Sequence, residues 1–199
     1  MQKNIKFDDF LRTNPKFTLK EAQSHGFSRA TVSYHAKRGL VSRLARGVYC
    51  DARAEVGDKV EIETLAAGGY EFTVALFSAL RIHGFTTANP TDVWIAVPTS
   101  SRKPNGVPFP VRTVWLGEKP YSHGAVTMQS GDVSYKVFSP AKTVADLFKF
   151  RNKFGVDIAI EALKDGWRKH KFTSDELHRA AEACRVSRIM SPYMEGIMA

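Results

Sequence analysis

Residues 28–49 read Ser28-Arg29-Ala30-Thr31-Val32-Ser33-Tyr34-His35-Ala36-Lys37-Arg38-Gly39-Leu40-Val41-Ser42-Arg43-Leu44-Ala45-Arg46-Gly47-Val48-Tyr49, and they decide the fold. Ser28 is a natural cap for a helix over Arg29–Arg38, and Gly39 suits its left-handed end. Leu40–Leu44 and Gly47–Tyr49 then read as two short strands around Ala45-Arg46. Upstream, Thr18-Leu19-Lys20-Glu21 has capping-box spacing, opening a second helix that stops at Gly26. Farther upstream, Phe7, Phe10 and Leu11 fall at i, i+3 and i+4, the stripe of a first helix that Asn14-Pro15 ends. Three helices, the last two joined by a glycine turn, followed by a small hairpin, give the order of a winged helix-turn-helix.

The charge distribution assigns this segment a partner class. The 199-residue chain carries a net +9. Residues 1–53 hold 11 Lys/Arg against 4 Asp/Glu, so most of that excess sits in the first quarter. Between residues 28 and 46 there are five cations and no carboxylate, as a phosphate-facing surface requires. On a helical wheel Val32, His35 and Ala36 turn inward, with His35 read as a packed histidine. Ala30, Ser33, Tyr34 and Lys37 face outward, flanked by Thr31 and Arg38, and these groups suit base edges. Ser28 and Arg29 stand at the positive helix end, where a phosphate is favoured. Arg43 and Arg46 project from the hairpin toward backbone or minor groove. The expected partner is double-stranded DNA. A module for an acidic protein or RNA is the alternative.

Other classes fit less well. The longest apolar run falls far short of the ~18 residues of a membrane span, and the charged N-terminus does not read as a signal peptide. Cys50 and Cys184 lie far apart without metal-ligand spacing, which fits a reducing cytoplasm. No cofactor and no metal site is expected. No HExxH, Walker or GxSxG motif occurs. Asp132 and Lys136 are the nearest approach to a nuclease site, and Asp132 reads better as a hairpin-turn residue. His83 and His123 lack ligand-spaced partners and read as surface or loop residues.

Residues 51–58 read as a linker, which divides the chain into a winged helix over 1–52 and an α+β domain over 53–199. The second domain is a mixed α/β arrangement with a small sheet and a helical C-terminal third. Helices are expected near 59–68 and 73–84, strands at 92–97 and 111–116, and a hairpin at 125–129 and 133–138. Residues 98–110, with Arg102 and Lys103, read as a connector. Ser139-Pro140 is a strong helix start. Ser139, Lys142, Thr143 and Asp146 cluster in that first stretch, as a cap and surface ion pair or as an anion site. Helical periodicity then recurs through Val156, Ala159, Ile160, Leu163 and Trp167, and through Leu177, Ala180, Ala181 and Cys184. Pro192 leaves the start of a last helix uncertain.

Residues 26–49, with their terminal Arg46-Gly47-Val48-Tyr49, resemble the AbiEi antitoxin family. Ser78–Phe85, Asp92–Pro98 and Phe138–Leu147 look like successive landmarks of its second domain. His35 and Lys142 depart from the pattern, which favours a larger aliphatic and an arginine. The resemblance implies a repressor that binds inverted repeats in its own promoter. It also implies a C-terminal antitoxic domain, where Ser139, Lys142, Thr143 and Asp146 are candidates. That domain would counter a nucleotidyltransferase-like toxin of a type IV system without a stable complex.

Overall fold

The computed structural model describes residues 6–45, 47–53, 60–85, 92–105, 107, 109–130 and 133–198. The chain divides into two compact units, residues 1–70 with 104–109 and residues 71–103 with 110–199.

The first unit runs α1 (Phe7–Thr13), β1 (Lys16–Thr18), α2 (Leu19–Ser24), α3 (Arg29–Lys37), β2 (Val41–Ala45), β3 (Val48–Asp51) and α4 (Val60–Ala67). The three expected helices and the hairpin are present. A strand not anticipated, β1, pairs antiparallel with β3, giving the sheet order β1-β3-β2. Phe17 pairs with Tyr49 across that ladder, and both rings stack at 5.8 Å. Helix α2 starts on the anticipated capping box: Thr18 Oγ1 accepts from the Glu21 amide while the Glu21 carboxylate accepts from the Thr18 amide. Gly39 sits at φ +74°, a left-handed turn that lets the chain leave α3 directly into β2.

The core of this unit is Phe7, Phe10, Leu11, Phe17, Ala22, Val32 and Val41. Fully burying one such large side chain is worth about 1.5–3 kcal/mol, and Phe7, Phe10, Phe17 and Phe27 add edge and tilted ring contacts at 5.0–6.1 Å. Helix α4 belongs to this unit, where an ion pair from Glu63 to Lys16 ties it to β1. Of the anticipated linker, residues 54–58 lie outside the described residues.

The second unit is built on a five-stranded sheet of β4 (Thr73–Val74), β5 (Val93–Pro98), β6 (Val111–Leu116), β7 (Ala125–Ser130) and β8 (Val133–Phe138), in the order β6-β5-β4-β8-β7. The pairs β5–β6 and β4–β8 are parallel, and the other two antiparallel. Helices α5 (Leu76–His83), α6 (Glu118–Ser122), α7 (Pro140–Lys149), α8 (Arg151–Phe154), α9 (Val156–Arg168), α10 (Ser174–Cys184) and α11 (Ser187–Met198) complete it. The helix expected from residue 73 begins instead at Leu76, because Thr73 and Val74 pair with both β5 and β8 in the middle of the sheet. Helix α6 was not anticipated. Pro192 lies inside α11, which starts earlier, at Ser187.

Helix α7 is the hub, packing against α5, α9 and α10. Ala141 through Phe148 are all buried, so its polar positions are interior as well. This α+β unit, with its small sheet and helical C-terminal third, has the fold class read from the sequence.

Candidate nucleic-acid interface

Helix α3 is seated by its inner face. Val32 is fully buried, and His35 stacks on Phe7 with ring centroids 4.3 Å apart and planes 14° from parallel. His35 is therefore the packed residue anticipated, although its buried Nδ1 has no hydrogen-bond partner among the described residues. The opposite face is open: Ala30, Ser33, Tyr34 and Lys37 are all exposed, Tyr34 by 54%.

The helix ends are ordered by short-range bonds. Ser28 Oγ accepts from the Thr31 amide at 3.1 Å and lies 2.9 Å from Thr31 Oγ1, so both hydroxyls serve the cap. Arg29 is exposed beside it. At the far end, Arg38 Nη1 donates to Tyr34 Oη at 2.7 Å, with the guanidinium 5.5 Å from the ring centroid. Arg43 is exposed on β2, and Arg46 lies outside the described residues.

The acids of this unit's first 53 residues are engaged elsewhere. Asp9 pairs with Arg12, and Glu21 closes the α2 cap. Asp51 and Asp8 both meet Arg53. Arg53 donates to the Asp51 carboxylate and holds its pKa below the ordinary value. Positive side chains on α3 and β2 thus face solvent with no carboxylate among residues 28–45. Such a surface can meet phosphates through Arg29, Arg38 and Arg43, and base edges through Ala30, Ser33, Tyr34 and Lys37.

The second candidate cluster is brought together, but internally. Ser139 Oγ accepts from the Lys142 amide, and Thr143 Oγ1 donates to the Ser139 carbonyl at 2.9 Å, so both hydroxyls are spent within the first turn of α7. Lys142 and Asp146 form an ion pair at 2.5 Å with side chains 0% and 1% exposed. The expected surface pair is instead a buried one, because α7 is enclosed on all sides. Lys142 Nζ also lies 4.0 Å from the centre of the Phe138 ring. Cys184 completes the cluster, its Sγ donating to Asp146 Oδ1 at 3.3 Å. Burial, reinforced by Asp146, pushes this thiol up to about 12. Nothing in its spacing marked Cys184 as a partner, since 38 residues separate it from Asp146.

The two histidines are more enclosed than expected. His83 bonds the Phe138 carbonyl at 2.6 Å through Nε2, and burial holds its pKa below the usual value. His123 follows α6 half-buried, pushed down by burial and then by Lys142 and Arg179. Asp132 lies outside the described residues, while Lys136, Arg102 and Lys103 are exposed. Among the described residues no three metal-ligating side chains converge. No described helix is long and apolar enough to cross a membrane.

Three helices, a three-stranded sheet and an outward-facing third helix fit the class of winged helix-turn-helix proteins. Residues 8–50 match the family described as "Transcriptional regulator, AbiEi antitoxin", which supports the AbiEi resemblance. That family is one of regulators rather than of enzymes. The structure is also similar to the crystal structure of the RV2827C protein from Mycobacterium tuberculosis, with a TM-score of 0.67 at 15% identity over 94% of this chain and 75% of that one. This likeness is one of fold. No curated protein matches the chain.

Proposed function

We propose that the chain is a cytoplasmic, DNA-binding repressor that occupies inverted repeats upstream of its own operon. Helix α3 enters the major groove, and the β2–β3 hairpin lies against the neighbouring backbone. Two copies occupy the two arms of the repeat, and occupancy excludes polymerase. DNA binding is assigned to residues 1–52, and antitoxic action to residues 53–199 apart from α4, which belongs to the first unit. The observation that carries this reading is the open α3 face, on which Ala30, Ser33, Tyr34 and Lys37 are all exposed in a stretch, residues 28–45, that holds no carboxylate.

Footprinting of the chain on the DNA upstream of its own reading frame is the direct test. A protected inverted repeat, weakened by Lys37→Ala, is the expected result. No protection even at low salt would end the proposal.

The antitoxic role extends the family's name to the second unit. There the chain counters a nucleotidyltransferase-like toxin without holding it in a lasting complex. Co-expression with the neighbouring open reading frame tests this, rescue of growth being the expected outcome. A second reading, a stand-alone regulator, is favoured by one observation: the family match is confined to residues 8–50. Under that reading the footprint persists and the neighbouring frame encodes no toxin.

A further inference from the structure

Tyr34 lies on the outer side of α3, Arg38 caps the C-terminal end of that helix one turn later, and both are exposed. The phenol oxygen of Tyr34 accepts a hydrogen bond from Arg38 Nη1 at 2.7 Å. With its oxygen so engaged, the phenol's remaining role is to donate its own proton. The guanidinium has no acceptor at all, and its other N–H groups add further donors beside the phenol. The two side chains therefore present adjacent donors and no acceptor, held together by their mutual bond and by the cation over the ring.

In the major groove this pattern discriminates. Guanine offers two neighbouring acceptors, N7 and O6. Adenine places a donor beside its N7, cytosine offers a donor, and thymine a single acceptor beside a methyl group. We propose that Tyr34 and Arg38 act as one unit that selects guanine at a single position of each half-site. The inference rests on the reading of α3 as the groove-entering helix and adds to it the base that this part of the helix reads. Neighbouring groups have other tasks: Ala30, one turn before Tyr34, offers only a methyl group, and Ser28 and Thr31 are occupied in the cap.

A phosphate also accepts from paired donors, so the experiment separates it from a base. Full-length protein and its Tyr34→Phe and Arg38→Gln variants are each used to select sites from a randomised duplex library. Affinities are then measured on the selected site with guanine or 7-deazaguanine at the position in question. Tyr34→Phe keeps the ring and removes only the hydroxyl.

The expected outcome is an invariant guanine for the unaltered protein that becomes degenerate in both variants, with about a tenfold loss of affinity on the guanine site. The 7-deaza base should weaken the unaltered protein by a similar factor and the Tyr34→Phe protein much less. Uniform weakening on every sequence, with the base preference intact, would mean that the pair holds a phosphate and would overturn the proposal while leaving DNA binding by α3 in place. Selection of no common motif by the unaltered protein would overturn both.

Discussion

Lys142 pairs with the Asp146 carboxylate, and both side chains are buried. The two charges are tolerated there because they pair with each other, while the Phe138 ring faces the ammonium and the Cys184 thiol donates to the carboxylate in place of water. Removing only the cation leaves Asp146 uncompensated, so Lys142→Met should cost about 3–5 kcal/mol in urea unfolding. The double substitution Lys142→Met with Asp146→Leu should recover most of that loss. A single variant within about 1 kcal/mol of the parent would contradict the account. Cys184 adds a pH signature. Its folded thiol keeps its proton up to about pH 12, whereas an ordinary thiol near 9.0 has already lost it. Between those values the unfolded chain binds fewer protons, and stability falls with rising pH by up to about 1.4 kcal/mol per unit. Cys184→Ala should flatten this alkaline slope, whatever it does to the absolute stability; an unchanged slope would show that the thiol does not contribute. The spacing of Lys142 and Asp146 was legible in the sequence, but i, i+4 pairs look alike on exposed and buried helices. Only the enclosure of α7 by elements distant in sequence decides between them.

Elements that begin on local signals were the legible ones. The capping box at Thr18–Glu21 and the Ser139-Pro140 start both mark helices where the sequence placed them. Ser28 belongs with them. Ser28→Ala should cost about 1 kcal/mol and speed hydrogen exchange at the Thr31 amide, which loses its acceptor. Strands β1 and β4 were not legible, because three or two residues show no periodicity and exist only through pairing with partners far along the chain. Helix α9 shows the same conflict of local and distant demands. Gly166 sits within it, where helix propensity alone favours alanine by about 1 kcal/mol. A Cβ there would stand 2.3 Å from the Phe172 ring and 2.6 Å from Phe85. Gly166→Ala should therefore destabilise by about 1–3 kcal/mol in thermal unfolding. Adding Phe172→Leu should recover part of the loss. A net gain in stability from Gly166→Ala would mean that both rings move aside freely.

At the scale of the whole molecule, the charge asymmetry is what the sequence disclosed most directly, and it sets the first quarter of the chain apart as the cationic part. The interior of the second unit was less legible, since the placement of α7 at its centre depends on contacts with α5, α9 and α10. If the first unit makes the DNA contacts, the cations that matter are Arg29, Lys37, Arg38, Arg43 and Arg46. Five cations brought against the duplex displace about as many condensed counterions, whether they meet phosphate or base, so log K should fall with log salt at a slope of about −4 to −5. Arg102 and Lys103 serve as internal controls: both are exposed, but they belong to the second unit. Arg29→Gln should flatten the slope by about one, because its side chain stands at the positive end of α3. Arg102→Gln and Lys103→Gln should leave it unchanged. Fluorescence anisotropy on the footprinted repeat from 50 to 300 mM salt, a range of about sixfold, is wide enough to resolve a change of one. If the loop variants shift the slope as much as Arg29→Gln does, the duplex contacts both units and the division of labour between them is wrong.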